Sequence, residues 1–137
     1  MNYKSIPFTQ EHYSTYTAWA SERGFPFHAF DNLPRIGFII EHHDKPICMA
    51  FLTESQGVLA SVGTFMSNPE STSEEREVSI YMLLDKCEEK AKELGFTVLT
   101  CATNIPTLKS KFESFGFSKT DENVTHYRRD LCRSAAF

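Results

Sequence analysis

The chain has 137 residues, 41% of them hydrophobic and 23% charged, with a formal net charge of −4. That length and balance fit one domain with one core, and the acidic excess excludes an electrostatic grip on nucleic acid. Cys48, Cys87, Cys101 and Cys132 are scattered without a CxxC pair, so they read as reduced thiols, not as a disulfide framework or a zinc site. No apolar run reaches a membrane span, and the opening MNYKSIPFTQEHYS lacks a signal-peptide core. The expectation is a cytoplasmic protein with no membrane contact.

Residues 3–8 alternate weakly and predict a first strand ending at Pro7. Thr9 can cap the next helix, in which Tyr13, Tyr16, Thr17 and Ala20 recur at helical spacing as far as Gly24. Residues 25–34, FPFHAFDNLP, are aromatic and aperiodic. They read as a loop or short helical turn, either a lid on the substrate side or a hydrophobic plug. Residues 35–41 and 47–54 are apolar strands joined by His42-His43-Asp44-Lys45-Pro46, which predicts an antiparallel hairpin. The second of these strands is apolar on both faces and belongs inside a sheet. Residues 58–66, VLASVGTFM, form a third apolar strand, in which Gly63 invites a bulge or a close backbone approach.

A long helix follows. Ser71 with Glu74, or Thr72 with Glu75, satisfies the capping-box pattern. Ile80, Leu83, Leu84, Cys87, Ala91 and Leu94 make one apolar stripe, and Gly95 is the expected end. Residues 96–101 predict a buried strand, and Asn104 with Pro106 opens a helix stopped by Gly116. Residues 124–131 read as a last strand, and their short basic cluster as its solvated edge. A strand, long helix and strand in succession require a right-handed crossover and a parallel pair, so the sheet is mixed.

The stretch from Met66 to Ile80, MSNPESTSEEREVSI, joins a strand end to the first turn of the long helix. Helix starts present free N–H groups and a positive dipole end, which suits a phosphorylated ligand. Phosphate cradles usually use glycine, and this stretch has none; it carries Glu74, Glu75 and Glu77 instead. Glutamate in a first turn also stabilises a helix dipole without any ligand.

The element order, with EHHDKPICMAFL, TFMSNPE and FESFGF in their places, resembles the GNAT acetyltransferase superfamily across residues 3–131. SNPESTSEERE, TCATNIPTLKSKFESFGF and DENVTHY look, more narrowly, like small GNAT-like proteins common in bacteriophage genomes. The resemblance implies a single-domain α/β GNAT-like fold over residues 1–131, with a mixed central sheet, antiparallel meander, β-α-β crossover and flanking helices. Residues 132–137 would form a short tail. It implies acetyl-CoA as substrate, with the backbone of Phe65, Met66 and Ser67 gripping pantetheine and polarising the thioester carbonyl. Ser71, Thr72, Ser73 and Arg76 would then face the diphosphate.

Two departures stand out. The diphosphate loop lacks the superfamily's glycines, and Phe112 stands where a tyrosine often protonates the leaving thiolate. Candidate bases are His28, His42, His43, His126 and Glu54; His42 and His43 are expected to be exposed in the hairpin turn. Asn104 lies just past a strand end, either as a ligand contact or as a helix cap. The expected activity is acetyl transfer to an amine on a small molecule or protein. The alternative is a catalytically inactive GNAT-like module that binds another protein. An edge strand at 124–131 would permit a homodimer.

Overall fold

The computed structural model describes residues 2–103, 105–129 and 131. Five strands lie in one sheet in sequence order: β1 (Tyr3–Pro7), β2 (Ile36–His42), β3 (Lys45–Glu54), β4 (Leu59–Ser67) and β5 (Val98–Cys101). The first four run antiparallel to their neighbours. β5 runs parallel to β4, as a helical crossover demands. The fold is therefore α/β with a mixed sheet, as the sequence predicts.

The hairpin between β2 and β3 is tighter than the predicted connection. Its turn is His43 and Asp44 alone, at φ +53° and +63°. Such a turn follows the right-handed twist of the strands, and it leaves Lys45 and Pro46 free to pair with His42 and Glu41 in the ladder.

Strand alternation divides the core between the two faces of the sheet. Phe38, Ile40, Cys48, Ala50 and Leu52 face α2 (Ser73–Glu93) and α3 (Pro106–Phe115), packing with Leu83, Leu84, Cys87 and Phe112. Ile39, Met49 and Phe51 face α1 (Tyr13–Glu22), packing with Tyr16, Trp19 and Ala20. The helix stops fall where glycine was read: Gly95 and Gly116 adopt φ of +92° and +118°. The segment before β2 holds a single 3-10 turn, Phe30–Asn32. Cys48 and Cys87 are buried free thiols and Cys101 is partly buried.

Among the described residues the last predicted strand is not present. No described residue from 117 onward is in a strand, and Val124, Tyr127 and Leu131 are 60%, 92% and 77% exposed. In a strand, Val124 would project opposite to Tyr127 and Leu131, and Arg129 would interrupt that second face. Neither face offers enough apolar area to offset the entropy of ordering. The dimer edge inferred from this strand goes with it. Cys132 and the predicted tail, 132–137, lie outside the described residues, as does Asn104. Among the described residues no helix is long and apolar enough to cross a membrane.

Gly37 lets β2 pass close to the buried aromatic cluster. A Cβ there would lie 2.5 Å from Phe51 Cδ2 and 3.2 Å from Phe8 Cβ, and the Phe51 ring is held edge-on by Phe8 and Tyr16. Gly37→Ala should lower unfolding free energy by about 1–3 kcal/mol through overpacking. Urea unfolding checks this, and an unchanged midpoint would show that the cluster yields freely.

Candidate functional site

Strand β4 changes character halfway along. Opposite it, Met49 pairs with Met66 and Phe51 with Gly63, so two steps of β3 face three of β4. The extra residue is a bulge. Gly63 marks it in the sequence, but the unusual backbone falls on Thr64, at φ +56°. A β-branched residue rarely adopts that conformation. Before the bulge, Leu59 to Val62 pair with β5 from Val98 to Cys101. Beyond it the parallel ladder stops, and residues 63–67 run on with no strand on that side among the described residues.

Two side chains of this free stretch, Phe65 and Met66, pack into the core. Phe65 meets Phe112, at 5.6 Å between ring centres, and Met66 is buried in the cluster with Trp19 and Tyr16. The backbone is what remains available to a ligand. Ser67 Oγ accepts from Arg23 Nη2 at 3.1 Å.

The following loop satisfies itself. Asn68 N–H donates to Ile47 O, and Asn68 Oδ1 accepts from Glu70 N–H at 2.9 Å, an Asx turn ahead of the helix. Ser71 is buried; its N–H and its hydroxyl both donate to Asn68 O, at 3.0 and 2.6 Å. Thr72 caps α2, its Oγ1 accepting from Glu75 N–H at 3.0 Å and its own N–H donating to Glu75 Oε1 at 2.9 Å. Of the two capping boxes open in the sequence, this is the one formed. Ser73, Glu74 and Glu77 are exposed. Arg76 is half-buried, with Nη1 donating to Ser71 O at 2.6 Å.

Glu75 does not point outward. Its Oε2 accepts from His42 Nδ1 at 2.8 Å, and Lys45 Nζ lies 3.9 Å from Oε1. The Thr72 N–H and then the His42 hydrogen bond hold this carboxyl down at about 2. His42 itself stacks on Tyr3, with ring centres 3.9 Å apart and planes 2° from parallel. His42 is thus partly buried and engaged, not exposed as the turn reading expects; only His43 is exposed. The cluster ties the hairpin tip to the start of α2.

An open groove of about 500 Å³ lies beside the bulge, between His28 and Arg35 on one side and Thr53, Glu54 and Thr64 on the other. Glu54 and Arg35 form an ion pair at its mouth, 2.5 Å apart. Tyr13 Oη–H donates to His28 O, and His28 N–H donates to Tyr16 Oη. These bonds fix the segment carrying the groove wall. Phe112 is buried against Phe65 and Phe117, an aromatic core position without a titratable proton. His126 is exposed outside any strand. No group of three or more potential metal ligands occurs among the described residues.

No protein-family model and no curated protein matches the sequence. Solved structures match over nearly the whole chain. AAC(6')-Iy in complex with the bisubstrate analogue CoA-S-monomethyl-acetylneamine superposes with a TM-score of 0.70 at 12% identity, covering 95% of this chain and 100% of that one. A transcriptional regulator from Bacillus halodurans C-125 gives 0.73 at 14% identity, covering 92% and 99%. A predicted acetyltransferase with acetyl-CoA from Clostridium acetobutylicum gives 0.64 at 12%, covering 91% and 96%. At such identity the likeness establishes the fold, which is the GNAT fold.

The Glu75 cluster makes a pH-dependent prediction. A carboxyl depressed from 4.5 to about 2 adds stability that is complete above about pH 4.5 and is lost as pH falls toward 2. Glu75→Gln should cost about 1–3 kcal/mol near neutrality, and the gap to the unmodified protein should close through that window. Urea unfolding at stepped pH measures it; a gap independent of pH would contradict the pairing.

Proposed function

We propose that this protein transfers acetyl from acetyl-CoA to an amine, on a small molecule or a protein. The observation that carries this reading is the free edge of β4 beyond the Thr64 bulge, where the ladder to β5 ends after Val62. An extended backbone with unpaired N–H and C=O groups suits pantetheine, which carries two amides of its own. Phe65, Met66 and Ser67 would supply those groups; the buried Met66, the partly buried Phe65 and the Arg23 bond to Ser67 Oγ hold the edge in place. The likeness in fold to structures with acetyl-CoA or a CoA conjugate bound supports the same ligand.

The chemistry needs little beyond positioning. A neutral amine attacks the thioester carbonyl carbon, the C–N bond forms and the C–S bond breaks. The amine loses one proton and the departing thiolate gains one. A strand N–H aimed at the carbonyl oxygen stabilises its developing charge. Glu54, in the groove beside the bulge and paired with Arg35, would take the amine proton. Phe112 cannot protonate the thiolate, so water supplies that proton. Asn104 remains a proposal as a ligand contact or catalytic group and His126 as a catalytic base, and Ser71, Thr72, Ser73 and Arg76 as the diphosphate side. The reading carries with it a cytoplasmic setting and the domain limits 1–131.

A second reading rests on a specific observation: the N–H groups of Glu70 and Ser71 have partners within the loop, and that of Thr72 has Glu75 in the first turn of α2. A GNAT-fold protein in this condition would bind another protein, in a phage setting as the narrower resemblance implies, and transfer nothing. Calorimetric titration with acetyl-CoA, followed by thiol release in the presence of an amine panel, separates the two. Saturable binding and amine-dependent thiol release are expected. No binding at millimolar acetyl-CoA would overturn acetyl transfer and leave the binding module.

A further inference from the structure

The groove beside the bulge carries a charge pattern of its own. Arg35 stands immediately before β2 and Glu54 ends β3, two strands whose ladder starts with Ile36 opposite Leu52. That pairing brings the two side chains together at the groove mouth, Arg35 Nη2 donating to Glu54 Oε1 at 2.5 Å. Among the described residues that line the groove they are the only Asp, Glu, Lys or Arg, so its formal charge, His28 apart, is zero. Asn32, Thr53 and Thr64 add uncharged polar groups. Thr64 is also where the free edge of β4 begins, so the groove opens next to the backbone assigned to the acetyl donor.

The ion pair does little to hold the fold. The Arg35 side chain is 80% exposed and that of Glu54 30%, and a pair so open to water adds little stability. Admitting a ligand group beside either partner therefore costs little. Arg35 has five N–H donors in a planar fork, and its bond to Glu54 leaves donors for a second carboxylate. Glu54 has a second carboxylate oxygen with which to accept from an ammonium. The groove thus offers an anion site and a cation site held side by side.

A ligand complementary to that arrangement carries an ammonium and a carboxylate equally close together. In an α-amino acid a single carbon separates them. A polyamine or an amino sugar with several amines brings an excess of positive charge, which a groove of zero formal charge does not balance. A lysine side chain or a protein N-terminus brings an amine without an adjacent carboxylate and leaves Arg35 without a ligand partner.

We propose that the groove binds a free α-amino acid, its carboxylate on Arg35 and its ammonium on Glu54. Its role as the acetyl acceptor rests on the acetyl-transfer reading; the amino-acid site rests on the Arg35–Glu54 geometry. The bound ammonium gives one proton to Glu54, which passes it to solvent, and the neutral amine attacks the thioester carbon. As the C–N bond forms and the C–S bond breaks, the nitrogen loses its second proton to water, and water gives one to the thiolate. The amide product carries no positive charge, so Glu54 releases it and the ion pair re-forms.

The test compares the common L-amino acids, the carboxamide of the best of them, and spermidine. Calorimetric titration measures binding, and thiol release from acetyl-CoA measures turnover, for the unmodified protein and for Arg35→Gln and Arg35→Lys. Thermal unfolding verifies that each variant is folded. The best free amino acid should exceed its own carboxamide by about 10- to 100-fold in affinity and in kcat/KM. Arg35→Gln should erase that preference by weakening the free amino acid, and Arg35→Lys should restore part of it. A carboxamide or spermidine used as well as the free amino acid, or a preference that survives in folded Arg35→Gln, would overturn the amino-acid site while leaving acetyl transfer standing. Arg35-dependent binding of an amino acid without thiol release would keep the site and remove acetyl transfer. Neither binding nor turnover of any amino acid would overturn the site.

Discussion

Thr64, at φ +56°, decides where the sheet stops being a sheet. A β-branched residue in that region costs about 1–3 kcal/mol, and the surrounding ladder imposes it. β3 and β4 are paired on both sides of the bulge, with Phe51 opposite Gly63 and Met49 opposite Met66. The side chains of Met49, Phe51 and Met66 are locked in the α1-side core. Because the extra residue cannot be removed without moving that core, β4 leaves β5 after Val62 and presents a bare strand edge. Everything proposed about a ligand follows from that edge.

The junction beyond it behaves differently from a flexible phosphate loop. Asn68 organises it, accepting at Oδ1 from Glu70 and at its carbonyl from Ser71, while its own N–H reaches back to β3. Thr72 and Glu75 then close the helix start, and His42 and Lys45 bring the hairpin tip onto the same carboxylate. A backbone so fully engaged is rigid and has few donors to offer. The acidic residues at this helix start divide in two: the Glu75 carboxylate is engaged by Thr72, His42 and Lys45, and Glu74 and Glu77 stand in solvent, where screening weakens their effect.

Local pattern made much of the fold readable. The apolar stripe of α2, the hairpin, the capping box at Thr72 and the glycine stops are all encoded within a few residues of where they act. Gly63 announced the bulge, although the positive φ settled on its neighbour. What escaped reading were contacts made across the fold. His42 and Glu75 are 33 positions apart, and Arg23 and Ser67 are 44 apart; no periodicity connects them. Asn68 before Pro69 did carry a legible signal, the Asx-turn pattern, and it accounts for the closed loop. The last strand failed for the reverse reason. Residues 124–131 have β-forming composition, but their apolar residues fall on both faces, and local propensity without a face to bury does not hold a strand.

Amide hydrogen exchange, resolved by residue with and without acetyl-CoA, tests the central claim most directly. The account predicts that those amides of Thr64 to Ser67 that point away from β3 exchange readily in the free protein and become protected when acetyl-CoA is added. Those of Glu70, Ser71 and Thr72, already bonded to Asn68 and Glu75, should be protected in both states. Unchanged exchange at Thr64 to Ser67 under saturating acetyl-CoA, or protection gained only in the loop, would contradict it.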